Sequence, residues 1–294
     1  MNSTDVILVT GADGLLGRRV VEYASKYSKI CAVVHAQPKK PILDVDYLVV
    51  DLSKDWNPDV LPKKVSSIIH LAQSSNFRDF PDSALDVFGV NVATTARLLD
   101  YARKADVQSF VYASSGGVYG NGSEAFKENA PIVPPGQLGY YLGSKACGEI
   151  LVQSYASIFQ VVILRPFFMY GPGQNRSMLI PRLMDSVATG KHVTLQGTHG
   201  LRINPVHVDD AAQAVLAALK LKASATFNIA GPDVISIREI CEGMGEYLKT
   251  SPKFIQQDGF ANDLIADISA MKSELFSPER SLMNCFSEIN LPPK

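Results

Sequence analysis

The stretch VILVTGADGLLG, residues 6–17, joins a short apolar run to a turn that contains three glycines. The apolar run at 6–10 predicts a strand buried on both faces, and helical periodicity follows at 17–27. Gly11, Gly14 and Gly17 let the backbone turn tightly, and a helix that starts there offers free N–H groups to a pyrophosphate. The stretch predicts a dinucleotide site, although its G-x-x-G-x-x-G spacing also fits an ordinary glycine-rich turn.

Apolar runs alternate with helical patterns through the first half of the chain. The runs that predict further strands are 30–34, 46–52, 65–72, 109–115 and 161–166. The helical patterns are 17–27, 91–105 and a segment that starts at 139 and continues through 159. This alternation predicts an α/β fold with a Rossmann-type, doubly wound parallel sheet.

The regular alternation of apolar runs and helical patterns ends after Pro166. Turn formers crowd residues 167–178, and a helix at 207–221, a strand at 226–231 and a helix at 235–248 follow. We therefore predict an NAD(P)-binding Rossmann domain at 1–166 and a smaller, interleaved lobe at 167–294 that is mainly substrate-binding. About 203–231 is expected to return to the Rossmann domain.

Composition narrows the class of protein. The chain has 294 residues, 46% of them hydrophobic, and a net charge of −1, so no bulk attraction to nucleic acid or a membrane is expected. The four cysteines are far apart, which indicates reduced thiols, and the histidines show no metal-ligand spacing. No signal peptide or run of about 20 apolar residues is evident, so a cytoplasmic location is expected.

The end of the second predicted strand bears on the choice of cofactor. An acidic residue there accepts hydrogen bonds from an adenosine ribose, but His35 stands at that place. Nearby cations that suit a 2′-phosphate are Arg18, Arg19, Lys39 and Lys40. The pattern leans toward NADP over NAD, although these cations could equally be solvated surface charges. Asp51 could contact adenine or cap the next turn.

Tyr141 and Lys145 are four residues apart in the segment GYYLGSKACGE, residues 139–149. On a helix they share a face, and a nearby ammonium lowers the pKa of a phenol from about 10. Such a tyrosine can transfer protons near neutral pH. Tyr140 has only Ser144 one turn on, so the spacing selects Tyr141. The alternative is an ordinary Tyr–Lys surface pair.

A serine-glycine segment, YASSGGVYG at 112–120, ends the fifth predicted strand. Ligands of open parallel sheets sit beyond the carboxyl ends of the strands, so Ser114 or Ser115 is placed to bind a substrate oxygen. A serine-glycine loop with local backbone bonds is the alternative.

Together these motifs resemble the extended short-chain dehydrogenase/reductases, in the branch of the NAD-dependent epimerase/dehydratase family. The motifs that occur in the family's order are TGADGLLG, HLAQ, NVATTARLL, SSGGVYG, YLGSK, RPFFMYGPG, VHVDDAAQAV and FNIAG. The resemblance covers nearly the whole chain and implies a nucleotide-sugar substrate, hydride transfer and a homodimer through the helices near 91–105 and 141–158.

The resemblance also implies roles for individual residues. Ser115, Tyr141 and Lys145 match the catalytic set, and Ser115 and Gly116 would meet substrate. The expected cofactor-binding residues are Gly11, Gly14, Leu15, Leu16, Gly17, His35, Asp51, Leu52, Leu71, Ala72, Gln73, Tyr141, Lys145, Pro166 and Phe167. The family usually has alanine where Gln73 stands.

Departures from the family pattern bear on the reaction. A 4,6-dehydratase typically carries acidic residues after the catalytic serine, where this chain has Gly116 and Gly117. Of the two arginines that usually bind the nucleotide pyrophosphate, one stands a residue early, as Arg202, and the other has no counterpart in FIQQDGFAND. Arg176, Arg182 or Arg202 could substitute, and plain surface charge is the alternative. The sequence favours a C4 epimerase, with a 4-keto-sugar reductase or a non-catalytic NAD(P)-binding protein as alternatives.

Overall fold

The computed structural model describes residues 6–259 and 262–291. The strands are β1 (Val6–Thr10), β2 (Lys29–Val34), β3 (Val45–Val49), β4 (Ser67–His70), β5 (Ser109–Ala113), β6 (Gln160–Pro166), β7 (Met169–Tyr170), β8 (His192–Gln196), β9 (Arg202–Ile203), β10 (Val206–His207), β11 (Ala225–Ile229), β12 (Ile235–Ser236) and β13 (Lys253–Gln257). The α-helices are α1 (Leu15–Ala24), α2 (Ala84–Phe88), α3 (Thr94–Lys104), α4 (Pro135–Gln153), α5 (Leu179–Ala188), α6 (Val208–Ala218) and α7 (Ile237–Leu248).

The main sheet has the strand order β11-β6-β5-β4-β1-β2-β3, and the neighbours from β6 to β3 pair in parallel. Strands β4 and β5 are buried along their whole length, because helices cover both faces of such a sheet. The order reverses between β1 and β4, which is where ligands bind in folds of this type. The predicted Rossmann-type fold is confirmed.

The chain forms two compact units. The first contains the chain up to residue 118, residues 132–165 and residues 212–227; the second contains 119–131, 166–211 and the chain from 228 onward. The first unit packs Leu8, Ile68 and Phe110 against α3, whereas the second packs Ile203, Met184 and other apolar side chains around α5 and α7. The assignment of cofactor binding to 1–166 and substrate binding to 167–294 stays a prediction.

Helix α4 differs from the sequence prediction at both ends. It begins at Pro135, and Gly139 interrupts it with the left-handed angles φ 67° and ψ 175°. The predicted continuation through 159 is wrong. Tight turns replace it, and the Ser154 hydroxyl donates to the Ile150 carbonyl over 2.8 Å, a bond that competes with helix continuation. No helix in the described part of the chain is long and apolar enough to span a membrane.

Candidate active site

The glycine-rich turn forms a cradle that only glycine fits. Gly11 has φ +65°, and a Cβ there would lie 2.8 Å from the backbone of Ala72 on the neighbouring strand end. A Cβ on Gly17 would lie 2.1 Å from the Gly11 carbonyl oxygen. Gly14 precedes α1 without a side-chain cap, which leaves the first N–H groups of the helix for an anion. The turn therefore fits a dinucleotide pyrophosphate, and Leu15 and Leu16 begin the helix behind it.

The region predicted to bind the adenosine part of the cofactor contains one carboxylate, Asp51, and one exposed imidazole, His35. Asp51 accepts hydrogen bonds from the backbone N–H and hydroxyl of Ser53, at 3.0 and 2.7 Å, which lower the pKa of Asp51. The His35 ring is exposed, with Nδ1 3.9 Å from the carboxylate. Leu52 is buried beside them. Asp51 thus caps the turn and also presents negative charge toward His35.

Two of the four cations proposed for a 2′-phosphate, Arg18 and Arg19, have acidic neighbours. Arg18 lies 3.1 Å from Glu22 and 3.9 Å from Asp13, and it donates to the Lys40 carbonyl over 2.9 Å. Arg19 also contacts Glu22, at 2.7 Å. Lys39 and Lys40 are exposed. The two arginine charges are therefore offset by carboxylates on the same helix turn.

Two consecutive tyrosines start the part of α4 that follows Gly139. The phenol of Tyr141 donates to Gln73 Oε1 over 2.9 Å and is also hydrogen-bonded to Ser115, and its ring packs 4.7 Å from that of Phe77. The ring of Tyr140 instead stacks on Phe80, at 4.9 Å. Of the two, Tyr141 is the one whose phenol meets the predicted catalytic serine.

The protonation of Tyr141 differs from the sequence expectation. Burial raises the pKa of Tyr141 to about 12, and the hydrogen bond from Ser115 and the charge of Arg78 only partly oppose it. The expected lowering by Lys145 is wrong for this state of the protein. The Lys145 ammonium instead donates a hydrogen bond to the carbonyl of Ala113, the last residue of β5, over 2.8 Å.

Lys145 is a fully buried lysine beneath the carboxyl end of β5. Burial lowers its pKa to about 8, against the opposing charge of Glu149. Its ammonium also lies 5.4 Å from the ring centre of Tyr112. A buried amine with this pKa changes its charge close to neutral pH, as catalytic lysines do.

Ser115 stands at the end of β5 with its hydroxyl half-buried. Its Oγ accepts a hydrogen bond from the Gly117 N–H over 3.2 Å, and Gly116 begins a short 3₁₀ turn. A Cβ on Gly117 would lie 2.8 Å from the Leu142 side chain. The two glycines thus keep the turn close to α4 and leave the Ser115 hydroxyl beside Tyr141.

A functional residue that the sequence did not single out is Asn91. It lies in a π-helical turn, Gly89–Ala93, where it accepts from the Ser74 N–H over 3.0 Å and donates to Ser144 Oγ over 2.9 Å. Ser144 in turn donates to the Tyr141 carbonyl over 2.6 Å. Asn91 therefore ties the loop after β4 to the helix of Tyr141. In the sequence, the only indication of this role is that Asn91 belongs to the NVATT segment, one of the motifs that carry the family resemblance.

The loop after β4 carries the three residues predicted to pass the cofactor. Ala72 is buried and donates its N–H to Thr10 Oγ1 over 3.3 Å, while Leu71 is partly buried. Gln73 is exposed and contacts Tyr141. Gln73 thus reaches the Tyr141 phenol, which alanine at that position cannot do.

The remaining predicted residues lie in the second unit. Phe167 is buried, stacks on Tyr119 at 6.1 Å, and follows Pro166 at the end of β6. Arg176 donates to Asp185 over 3.0 Å, and Arg202 donates to Asp263 over 2.8 Å.

The Arg182 side chain is exposed on α5. Two of the three proposed arginines are thus already paired with carboxylates, and the substrate role of all three stays a prediction.

Comparisons with known proteins agree with this geometry. The model of the NAD dependent epimerase/dehydratase family matches residues 7–230. The chain is 28% identical to a Bacillus subtilis protein named as an uncharacterized UDP-glucose epimerase, over 94% of both chains. It is 24% identical to a UDP-glucuronate 4-epimerase of Thermodesulfobacterium geofontis, over 97% of this chain and 92% of the relative.

A solved structure, MoeE5 in complex with UDP-glucose and NAD, superposes with a TM-score of 0.82 at 26% identity over 97% of both chains. The family match, the sheet and the glycine cradle bear out the resemblance found in the motifs. The chain belongs to the NAD-dependent epimerase/dehydratase family and is an enzyme of the extended short-chain dehydrogenase/reductase type.

Proposed function

We propose that this protein is an NAD(P)-dependent epimerase that inverts C4 of a nucleotide sugar. The observation that carries the proposal is that Ser115 and Gln73 both form hydrogen bonds with the Tyr141 phenol. Lys145, a buried lysine, lies one turn further along the same helix. The named relatives are epimerases of UDP sugars, and the glycine cradle fits the pyrophosphate of a dinucleotide.

The proposed chemistry is a proton transfer coupled to hydride transfer at one carbon. When bound, the nicotinamide supplies the hydride acceptor and donor. Tyr141 takes the proton of the C4 hydroxyl during oxidation and returns a proton to the ketone oxygen during reduction. Ser115 donates a hydrogen bond to that oxygen and also favours the Tyr141 phenolate, whereas the Lys145 ammonium holds the end of β5 through the Ala113 carbonyl. Inversion follows when the keto sugar presents its other face before reduction.

The choice between NAD and NADP rests on the end of β2. No carboxylate occupies position 35, which favours NADP, whereas Glu22 offsets Arg18 and Arg19 and Asp51 lies near His35, which favours NAD. The solved relative was bound to NAD. The lean toward NADP stays a prediction, and a fluorescence titration with NADH and NADPH tests it. Tighter binding of NADPH supports it, and tighter binding of NADH contradicts it.

A 4-keto-sugar reductase is the second candidate, and one observation favours it. The neutral Tyr141 phenol donates a hydrogen bond to Gln73, and a protonated tyrosine is the form that gives a proton to the ketone oxygen when NADPH supplies the hydride. A 4,6-dehydratase is disfavoured, because Gly116 and Gly117 carry no carboxyl group that could protonate a leaving hydroxyl. The retained Ser115, Tyr141 and Lys145 argue against a non-catalytic NAD(P)-binding protein.

Incubation with a panel of nucleotide sugars tests the function directly. The proposal expects NMR signals of the C4 epimer to grow with a catalytic amount of cofactor and no net change in nicotinamide absorbance. Stoichiometric consumption of NADPH selects the reductase. Variants Arg182→Ala, Arg176→Ala and Arg202→Ala, compared by KM, identify the guanidinium that serves the nucleotide phosphates.

We also propose a homodimer. Ile150 on α4 and Leu85 on α2 have 68% and 83% of their surface exposed, and both helices belong to the first unit. Sedimentation of the wild type should give the mass of two chains, and Ile150→Lys should shift it toward one chain. Val60→Lys, at another exposed apolar position, is the control; a monomeric wild type contradicts the proposal.

The cytoplasmic location is likewise a proposal, supported by four free thiols.

A further inference from the structure

A buried carboxylate on the catalytic helix has no role in the chemistry described above. Glu149 lies one helical turn beyond Lys145 and two turns beyond Tyr141, and only 5% of its surface is exposed. Burial of a carboxylate without compensation is costly, so its partners indicate why it is retained.

Glu149 binds the two strands that flank the catalytic helix. Arg165 at the end of β6 donates to both carboxylate oxygens, through Nε over 2.9 Å and through Nη2 over 2.7 Å. Ser114 at the end of β5 donates its hydroxyl to Oε1 over 2.5 Å. The carboxylate thus satisfies a bidentate ion pair and joins both strand ends to α4.

The same strand end has a second link to the helix. Ala113 accepts from Lys145 Nζ over 2.8 Å, and the next residue, Ser114, binds Glu149. Ser115 follows directly. Two successive residues before the catalytic serine are therefore anchored to two side chains that lie one helical turn apart.

Charge gives an independent reason for Glu149. Lys145 is fully buried, and the charge of Glu149 opposes the effect of burial on its pKa. The other titratable groups around this cluster are Tyr112 on β5, whose ionisation Glu149 disfavours, and His70 on β4, whose protonation Lys145 disfavours. Both are neutral near pH 7, so Glu149 is the charge in this cluster that opposes the effect of burial on Lys145.

We propose that Glu149 is a positioning residue of the catalytic centre, which holds the Ser115 end of β5 against the helix of Tyr141 and compensates the buried charge of Lys145. This inference rests on the proposed function, because it assumes that Ser115, Tyr141 and Lys145 act together. It adds a residue that touches neither substrate nor nicotinamide.

The charge contribution is tested by direct titration of Lys145. Glu149→Gln removes the carboxylate that Arg165 binds, so the double variant Glu149→Gln/Arg165→Met removes both charges of the ion pair and keeps the volume. NMR of ¹³Cε-labelled lysine, with the Lys145 signal assigned by Lys145→Met, gives the titration midpoint without substrate. The expected result is a midpoint lower by about one pH unit. Glu246→Gln, an exposed residue on α7, is the isosteric control.

The activity profile provides the second readout. Lys145 titrates below Tyr141, so the lower inflection of the kcat/KM profile follows Lys145 and should move to lower pH in the double variant. Ser114→Ala removes one anchor and keeps both charges, so it should lower kcat roughly tenfold without moving the Lys145 midpoint.

An unchanged midpoint in the folded double variant overturns the compensating role, and an unchanged kcat in Ser114→Ala overturns the anchoring role. Failure of the proposed function itself is a different result. The Lys145 titration needs no reaction, so a shifted midpoint in a protein that turns over no nucleotide sugar would retain the charge coupling and reject the epimerase.

Discussion

The Tyr141 phenol donates its hydrogen bond to Gln73 Oε1 over 2.9 Å, at a position where the family usually has alanine. A carbonyl acceptor stabilises the neutral phenol and does not stabilise the phenolate. Gln73 therefore adds to the effect of burial, which already raises the pKa of Tyr141 to about 12. In this chain the loop after β4, through Gln73, favours the protonated form of Tyr141.

Replacement of Gln73 by alanine should lower the pKa of Tyr141 by about half a unit to one unit, because the acceptor of the phenol proton is lost. Oxidation needs the phenolate, so kcat/KM for oxidation near pH 7 should rise about three- to tenfold. A ¹³C NMR signal of labelled Tyr141 near pH 10.5 should show a larger ionised fraction. Ser75→Ala, on the same loop, is the control. An unchanged kcat/KM for oxidation near pH 7 in Gln73→Ala contradicts this role.

Tyr141→Phe should reduce hydride transfer about a hundredfold or more and leave cofactor binding intact, because only the proton-transferring oxygen is removed. Tyr140→Phe is the matched variant one residue away, whose ring stacks on Phe80. Single-turnover absorbance of the nicotinamide measures both. Wild-type rates in Tyr141→Phe would rule out the proposed mechanism.

Gly17→Ala should abolish dinucleotide binding, because its Cβ would lie 2.1 Å from the Gly11 carbonyl oxygen and force the cradle open. Gly136→Ala is the matched control, since a Cβ there meets nothing within 4 Å. Calorimetric titration with NAD and NADP measures the loss. Retention of wild-type affinity in Gly17→Ala places the dinucleotide elsewhere.

Arg165→Met should cost about 3–5 kcal/mol of the free energy of unfolding, because it leaves the Glu149 carboxylate buried and unpaired. The side chains of Arg165 and Glu149 are only 8% and 6% exposed. Glu149→Gln/Arg165→Met should recover most of this loss. Urea unfolding of the two variants and the wild type measures the difference; equal stability of the two variants contradicts the account.

The sequence predicts local features of this fold well. β1 spans residues 6–10, the same residues as the predicted apolar run. Tyr141 and Lys145 lie four residues apart on the helical part of α4 that follows the interruption at Gly139, as predicted. Both features depend on neighbours in the chain. The sequence did not predict the pairing of β8 with β13, which lie some 60 residues apart. The turn-rich sequence after residue 167 has no hydrophobic periodicity that would indicate this pairing.

Features of the site that depend on distant contacts could not be predicted. Asn91 meets Ser144 across 53 residues, and Gln73 meets Tyr141 across 68. The expected low pKa of Tyr141 followed from the spacing to Lys145 alone. Spacing gives the shared helix face, but it gives neither the burial by the loop after β4 nor the carbonyl of Ala113 that engages Lys145.

The most direct test of the central claim follows a deuterium label at C4 of the nucleotide sugar that the panel identifies. Transient oxidation by hydride transfer predicts that the label stays on C4 of the inverted product, in ordinary water and with a catalytic amount of cofactor. Exchange of the label with solvent, or one equivalent of NADPH consumed for each product formed, would contradict an epimerase that works by hydride transfer at C4.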